Sequence, residues 1–135
     1  CKFNLKDMID KKKTKIGIIF NTDYNSGPGK HWTSMFICIK NKLIYYFNSS
    51  GSRATNEVMK LVERIKKQGK SLGICFKFDQ NYPKQHQYSQ SECGMYSIYF
   101  IVNMLTGKLN PETLKTTRIP DKKMIQYRDI FFNII

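Results

Sequence analysis

The stretch from Met95 to Leu105 constrains the fold more than any other part of this chain. It reads Met-Tyr-Ser-Ile-Tyr-Phe-Ile-Val-Asn-Met-Leu and is apolar on nearly every side. It is too long for an ordinary strand, which holds about five or six residues, and a helix without a polar face has to be buried. Gly107 follows closely and suits a helix end. We therefore expect a buried helix that Cys93 opens.

The rest of the chain changes its hydrophobic period from element to element. Strands are predicted where apolar and β-branched residues cluster, and a helix where Val58, Leu61, Val62 and Ile65 recur at helical spacing. A C-terminal helix is predicted to start near Asp121. The predicted strands are residues 15–21, 32–39, 43–47 and 72–78, and the amphipathic helix is residues 54–67. The sequence thus indicates an α+β fold, with a mixed or largely antiparallel sheet packed against the helix that starts at Cys93.

Length and composition restrict the class of protein. A chain of 135 residues suits one domain, and no apolar run approaches the roughly 20 residues that cross a bilayer. We expect a monomer that does not enter membranes and, since no secretion signal is visible, a reducing compartment. Four cysteines without a close CxxC pair predict neither a disulfide scaffold nor a metal site. No cofactor is expected.

The charge balance is strongly basic. The chain has 23 Lys and Arg against 10 Asp and Glu, a formal net charge of +13, and such a field attracts nucleic acid. The basic residues are scattered along the chain and are not interleaved with aromatic residues. We interpret them as a solvated surface with weak, nonspecific affinity for nucleic acid.

Cys93 is the strongest candidate for a reactive group. A cysteine in the first turn of a buried helix feels unsatisfied N–H groups and the positive end of the helix dipole, which favour thiolate over thiol. Gly94 has no side chain to block a substrate carbonyl, and the backbone N–H of Cys93 is available to an oxyanion. Cys38 and Cys75 lie inside apolar, strand-like runs and are interpreted as small buried hydrophobes.

A thiolate nucleophile needs a base, and the chain has only two histidines. His31 stands at a predicted strand start, on a different element from Cys93, whereas His86 lies in the loop that leads to Cys93, so His31 is the preferred base. Asn48, which closes another predicted strand, is the candidate for orienting the imidazole. The loop before Cys93 supplies Gln87 and Gln90 for an oxyanion hole, and the residues leave the choice between them open.

The motifs GKHW, YYFNSSG and HQYSQSECGMYS, taken in this order, resemble those of a known superfamily. It is the papain-like superfamily that contains the SUMO-deconjugating proteases and the adenovirus protease. Within it the chain is most similar to the polyprotein protease family of African swine fever virus, which also carries asparagine where cellular relatives have aspartate. Those viral enzymes have a long N-terminal region, and we interpret residues 1–135 as a single catalytic domain without that arm.

The resemblance implies roles for individual residues. It makes Cys93 the nucleophile, His31 the base and acid, and Asn48 the orienting residue. Gln87 matches the oxyanion glutamine of the SUMO proteases and ranks first, and Gln90 matches a glutamine at the site of the swine fever enzyme. The other implied site residues are Trp32, which shapes a narrow channel for glycines, and Gly94.

The function implied by the resemblance is cleavage after Gly-Gly through a thioester. The expected role is maturation of viral structural polyproteins in the host cytoplasm and the virion, with deconjugation of SUMO or ubiquitin-like modifiers as the alternative. Two alternative functions belong to other classes of protein. One is an effector acetyltransferase, whose relatives use a carboxylate at the position of Asn48. The other is an inactive basic module that binds nucleic acid, which an intact Cys93, His31 and Asn48 set argues against.

Overall fold

A computed structural model describes residues 3–23, 30–89 and 91–132. The helices and strands follow one another in the order α1 (Leu5–Asp10), β1 (Lys15–Asp23), β2 (Lys30–Cys38), β3 (Leu43–Phe47), α2 (Asn56–Ser71), β4 (Lys77–Gln80), α3 (Cys93–Leu105), a 3-10 helix (Pro111–Lys115) and α4 (Asp121–Phe132). No helix in these ranges is long and apolar enough to cross a membrane.

The four strands form one mixed sheet in the order β1-β2-β3-β4. β2 is antiparallel to both β1 and β3, whereas β4 runs parallel to β3. The predicted hairpin between β2 and β3 is present, and its turn includes Lys42 with φ of 54°. Because the two strands run in opposite directions, the start of β2 and the end of β3 meet at the same end of the sheet. His31 and Asn48 are thereby brought to one end.

Each face of the sheet has its own apolar core. On one face α1 and α2 bury Leu5, Val62 and Ile65 against Met35 and Ile37 of β2. α2 has the predicted amphipathic spacing. It begins after Thr55, whose side chain accepts a hydrogen bond from the N–H of Val58, as an N-cap does.

The opposite face of the sheet carries α3, the buried helix predicted from the sequence. It runs from Cys93 to Leu105, and its Phe100 ring stacks on Phe47 of β3 with centroids 5.0 Å apart. A Cβ atom on Gly17 of β1 would lie 2.7 Å from the Ile101 side chain, so a glycine is needed for this close approach. The packing fixes where the first turn of α3, and hence Cys93, lies relative to the sheet.

The fold class predicted from the sequence is confirmed, and one predicted strand is wrong in its bounds. Residues 72–76 lie between α2 and the strand: Leu72 is the C-cap of α2, Gly73 in the turn has φ of 77°, and residues 74–76 have no regular secondary structure. The strand begins only at Lys77, because Leu72 caps the preceding helix. Cys75 is exposed rather than buried, since the neighbouring Phe76 takes the place in the core. Cys38 is buried as expected.

Candidate active site

Three of the predicted site residues meet at one end of the sheet. His31 is the second residue of β2, Asn48 directly follows β3, and Cys93 is the first residue of α3. The imidazole of His31 is hydrogen-bonded to the Cys93 sulfur on one side and to Asn48 on the other. The structure therefore joins three side chains that lie far apart in the sequence.

The hydrogen bonds of Asn48 determine the tautomer of His31. The backbone N–H of Ser50 can only donate, and it bonds to the Asn48 side chain at 3.0 Å, so the atom it meets is Oδ1. His31 Nε2 lies 2.7 Å from the same oxygen and must carry the proton. In a neutral imidazole the other nitrogen, Nδ1, is then the acceptor. This leaves the basic nitrogen of the ring for the bond to Cys93.

The position of Asn48 is itself held by a second, buried asparagine. Asn81 accepts a hydrogen bond from the backbone N–H of Asn48 at 2.9 Å and donates one to its carbonyl oxygen at 2.8 Å. Its Nδ2 also donates to the carbonyl of Lys84. Asn81 has no exposed surface. The sequence does not mark its role, because a single Asn after a strand carries no distinguishing pattern.

The electrostatics at Cys93 favour the thiolate. Burial raises the pKa of its thiol, but three kinds of interaction oppose burial and bring the pKa below the ordinary value of a thiol. These are the hydrogen bond with His31, the positive charge of that ring, and hydrogen bonds from the backbone N–H groups of Trp32 and Gly94. The surroundings of Cys93 thus favour the reactive form of its thiol.

The pKa of His31 changes in the opposite direction. Its hydrogen bond with Cys93 is the largest cause and raises the pKa, burial lowers it, and the bond to Asn48 and the thiolate charge raise it further. The net pKa lies above the ordinary histidine value. A thiolate and an imidazolium therefore stabilise each other, and together they provide a nucleophile and a proton donor.

Gln87 lies beside the end of β3. Its Oε1 accepts a hydrogen bond from the Ser49 hydroxyl at 2.7 Å, and its backbone N–H donates to the Ser49 carbonyl at 2.8 Å. Nε2 donates one of its two hydrogens to the carbonyl of Ser89 at 2.7 Å. The anchoring holds the side-chain amide in one orientation next to Asn48. Gln90, the other candidate, lies outside the described residues.

Trp32 and Gly94, the two predicted substrate-binding residues, face each other. A Cβ atom on Gly94 would lie 3.8 Å from Cδ1 of the Trp32 indole, which is ordinary van der Waals contact. A methyl group at this position would therefore just touch the indole. Trp32 is 38% exposed, whereas its neighbour Thr33 is buried. A large, partly exposed apolar ring thus lies beside the first turn of α3.

A polar cluster beneath the loop before Cys93 was not anticipated from the sequence. Asp121, predicted only as a helix start, accepts hydrogen bonds from the backbone N–H groups of Tyr88 and Ser89, from Tyr96 and from Arg118. These bonds tie the loop to the first turns of α3 and α4. A helix-start motif shows that Asp121 begins a helix, but it does not indicate which loop that helix will contact.

His86, the second histidine, has a structural place. Its Nδ1 accepts from the N–H of Ile119 at 2.8 Å, so Nε2 is the donor to the carbonyl of Leu114 at 2.8 Å. The ring is fully buried against Phe47, and burial lowers its pKa. Both ring nitrogens are used inside the core, so His86 does not compete with His31 as a base.

Fold and site together define a class of protein. A helix-borne cysteine that faces a strand-borne histidine and an asparagine on an α+β domain is the arrangement of papain-like thiol proteases. Among the described residues, no group of three or more His, Cys, Asp or Glu could hold a metal ion.

Comparison with known proteins identifies the family. The chain belongs to the Ulp1 protease family, whose C-terminal catalytic domain matches residues 2–134. The resemblance seen in the sequence is thereby confirmed, and members of this family are cysteine proteases.

The similar proteins include enzymes of African swine fever virus. A cysteine protease from the isolate Tick/Malawi is 35% identical over 121 residues, covering 88% of this chain and 44% of the viral protein. The counterpart from the isolate Pig/Kenya, called a SUMO-1 cysteine protease, is 34% identical over the same shares of the two chains. The chain thus spans less than half the length of these relatives.

A solved structure supports the same relationship. The crystal structure of the protease from African swine fever virus superimposes with a TM-score of 0.82 at 33% sequence identity, covering 90% of this chain and 45% of the viral one. The described sheet and helices therefore correspond to the fold of that protease.

Proposed function

We propose that this chain is the catalytic domain of a thiol endopeptidase that cleaves after Gly-Gly, with Cys93, His31 and Asn48 as nucleophile, acid–base residue and orienting residue. The observation that carries the proposal is the 2.7 Å bond between His31 Nε2 and Asn48 Oδ1. The Ser50 N–H donates to the same atom of Asn48, which identifies that atom as the oxygen. His31 Nε2 must then carry a proton, and Nδ1 is left to exchange a proton with Cys93.

In the acylation step the Cys93 thiolate attacks the carbonyl carbon of the scissile peptide bond. The C=O electron pair moves to oxygen and gives a tetrahedral oxyanion. When the intermediate collapses, the C–N bond breaks and Nδ1–H of the His31 imidazolium gives its proton to the departing amine. The products are a thioester on Cys93 and a free N-terminus.

In the deacylation step water replaces the amine. Neutral His31 takes a proton from water at Nδ1 while the hydroxide forms a bond to the thioester carbonyl carbon. Collapse of the second tetrahedral intermediate breaks the C–S bond and releases a carboxylic acid, which loses its proton to water at neutral pH. The thiolate and the imidazolium are regenerated without any external reductant or oxidant.

The oxyanion of both intermediates needs hydrogen-bond donors. We assign this role to the backbone N–H of Cys93 and to the Nε2 of Gln87, one of whose two hydrogens is used by Ser89. Gln90 remains the second candidate. Removing one oxyanion donor costs about 100- to 1,000-fold in kcat, so Gln87→Ala and Gln90→Ala separate the two residues directly.

The proposed preference for glycine is supported by the closeness of Trp32 to the first turn of α3. A Cβ atom on Gly94 would already touch the Trp32 indole at 3.8 Å. Side chains on the substrate residues next to the scissile bond would compete with the indole for this space. We therefore infer that Gly-Gly is preferred over Ala-Gly or Gly-Ala.

The biological role is proposed from the relatives. The substrate would be a viral structural polyprotein, cut at Gly-Gly-X in the host cytoplasm and in the virion. The alternative is removal of a ubiquitin-like modifier, which the name of the SUMO-1 cysteine protease relative favours. Both reactions use the same chemistry, and they differ in what binds beyond the residues next to the scissile bond.

Cleavage of matched peptides by matched variants tests the proposal. Cys93→Ala should abolish hydrolysis of Gly-Gly-X peptides, whereas Cys38→Ala, at a buried cysteine away from the site, should retain it. Peptides with Ala-Gly or Gly-Ala should be cut at least 10-fold more slowly. Residual activity of the Cys93 variant at the wild-type level would contradict the assignment.

Alkylation provides a readout that needs no substrate. Cys75 is exposed and Cys93 is buried, so accessibility alone would favour Cys75. Because only the thiolate reacts, iodoacetamide should still modify Cys93 first at neutral pH. The preference should disappear in the His31→Ala variant. Faster labelling of Cys75 in the wild-type protein would argue against an activated Cys93.

Two further assays separate the alternatives. A short Gly-Gly peptide and the same sequence behind a folded ubiquitin-like protein are compared by kcat/KM. Similar values favour the endopeptidase, and a large preference for the folded protein favours deconjugation. Incubation with labelled acetyl-CoA tests the acetyltransferase hypothesis, which stable transfer to a protein acceptor would support.

A further inference from the structure

The topology gathers lysines at the end of the molecule opposite Cys93. His31 and Asn48 lie where β2 begins and β3 ends, and the other end of the sheet is where β1, β3 and β4 begin and β2 ends. We call the lysines at that end, with one that follows α3, the basic pole. They are Lys11, Lys12, Lys13, Lys15, Lys40, Lys42, Lys77 and Lys108, and all are exposed.

Backbone contacts show that the basic pole is continuous. The N–H of Ile39, beside Lys40, donates to the carbonyl of Thr14 at 2.9 Å, and Lys77 N–H donates to the carbonyl of Lys42 at 2.8 Å. Lys15 Nζ reaches the carbonyl of Leu105 at the end of α3 at 3.4 Å, which links Lys108 to the same surface. Residues spread over almost 100 positions thus form one basic surface.

Among the described residues, the lysines of the basic pole form no ion pair with a carboxylate. In the described part of the chain, the ion pairs of lysine and arginine with carboxylates involve Lys115, Arg118 and Arg128, none of which belongs to the basic pole. The carboxylate nearest in sequence is Asp10, at the end of α1. A cluster of like charges repels itself and lowers stability unless an anion compensates it.

Two lysines of the basic pole occupy backbone positions that suit other residues. Lys12 has φ of 60° and Lys42 φ of 54°, and they are the only residues other than glycine with positive φ in the described ranges. Glycine or asparagine adopts this left-handed region with less strain than lysine. The exposed side chains gain little burial that would offset the strain. Compared with glycine or asparagine, lysine adds a positive charge at each of these turns.

We propose that the basic pole binds the phosphate backbone of duplex nucleic acid without reading its sequence. Across the sheet the pole covers three strand spacings, about 15 Å, which is enough to reach both backbones across a groove about 12 Å wide. All its cations are lysines, which act as point charges and lack the planar fork with which arginine reads bases.

The chemistry of the basic pole favours duplex over single strands. Binding of single strands relies on exposed aromatic rings that stack on bases. The exposed aromatic residues among those described are Trp32, Tyr82 and Tyr88, which lie in or near the active-site end. Because the basic pole lies at the opposite end of the sheet, the active site stays accessible while nucleic acid is bound. The domain can then act on peptides while it is held on nucleic acid.

Fluorescence anisotropy tests the proposal. The affinity for a labelled 20-base-pair duplex of random sequence is measured at several salt concentrations. The variant Lys12→Gly/Lys42→Gly removes two charges of the basic pole and relieves both strained turns. Lys60→Gln/Lys122→Gln removes two exposed charges elsewhere and serves as the charge-matched control. Both variants should hydrolyse a Gly-Gly peptide at the wild-type rate. The measurement of duplex binding does not depend on whether the wild-type protein cleaves that peptide.

The expected result is a selective loss of affinity without loss of stability. Each lost phosphate contact reduces the magnitude of the slope of log K against log salt by about 1. For the variant at the pole, the slope should therefore be smaller by about 2, and the affinity should fall by about 10-fold or more. The control should stay within about twofold. The melting temperature of the variant at the pole should equal or exceed that of the wild type.

Three outcomes would overturn the proposal. The first is an equal loss of affinity in both variants, which would indicate a diffuse field rather than a surface. The second is no measurable duplex binding at about 50 mM salt, where phosphate contacts are strong. The third is tighter binding to a single strand, or to anionic phosphatidylserine vesicles, than to the duplex at equal salt.

Discussion

Replacing Asn81 by alanine should disable the site without touching any of its reacting atoms. Asn81 contacts the backbone of Asn48 on both sides, and the side chain of Asn48 holds His31. Loss of this contact allows Asn48 to shift, and the imidazole then loses the acceptor that fixes its tautomer. Asn81 is in this sense a positioning residue.

The magnitude follows from the groups left without partners. The carbonyl of Asn48 also accepts from the N–H of Gly51 at 2.9 Å and keeps that bond, whereas the buried N–H of Asn48 loses its acceptor. An unsatisfied buried donor costs about 1–3 kcal/mol, and the lost side-chain volume adds a cavity term, so the free energy of unfolding should fall by about 2–4 kcal/mol. A displacement of about 1 Å at the site costs about 100-fold in rate.

The assay is hydrolysis of a Gly-Gly peptide at a temperature well below the melting transition of the variant. We expect kcat to fall by about 10- to 100-fold, equivalent to about 1.4–2.8 kcal/mol, while KM changes little. The bond to Asn48 is one cause of the raised pKa of His31. The alkaline limb of the pH profile should therefore move to lower pH, which mere destabilisation would not produce.

A buried asparagine elsewhere serves as the control. Asn103 on α3 donates to the carbonyl of Tyr99 at 2.8 Å and does not contact the site. Asn103→Ala should also lower stability but leave kcat and the pH profile unchanged. If Asn81→Ala retained wild-type kcat and the same alkaline limb, the reasoning about the Asn48 backbone would be refuted.

Three further predictions concern charge, pH and backbone conformation. Asn48→Asp places a carboxylate beside the His31 imidazolium and should raise its pKa further, moving the alkaline limb of kcat/KM up by about 1 unit; an unmoved limb would contradict this. Burial lowers the pKa of His86, so below about pH 6.5 the unfolded state takes up a proton more readily than the folded state, and stability should fall towards pH 5. The dependence of melting temperature on pH should therefore differ between the wild type and His86→Gln. Gly51→Ala should lower the free energy of unfolding by about 2 kcal/mol or more in urea denaturation, since φ is 81° and the new Cβ would lie 2.8 Å from a backbone nitrogen. Gly73→Ala, at φ of 77° with open space around it, should cost about half as much.

Much of the fold could be predicted because its signals are local. The apolar run after Cys93, the helical spacing between Val58 and Ile65 and the hairpin around Lys42 each reflect the period of one element. The error at residues 72–76 has a local cause as well. An apolar run that follows a helix can form the cap and turn after that helix or begin a strand, and the pattern alone does not distinguish these outcomes.

Candidate site residues could be named from the sequence only where chemistry or motif marks them. Cys93 and His31 have reactive side chains, and the motif around Asn48 resembles that of a known family. Asn81 and Asp121 carry no such mark. They act through hydrogen bonds to residues about 30 positions away, and those pairings exist only after the chain has folded.

The sequence by itself determined the kinds of elements, the buried helix and the order of the site motifs, because these depend on residue type and short-range spacing. Tertiary structure alone decided which nitrogen of His31 faces Cys93 and how Asn48 is held. It also decided that lysines scattered from Lys11 to Lys108 share one end of the molecule. The physical reason is that a strand or helix has a local repeat, whereas contact between elements depends on the path of the whole chain.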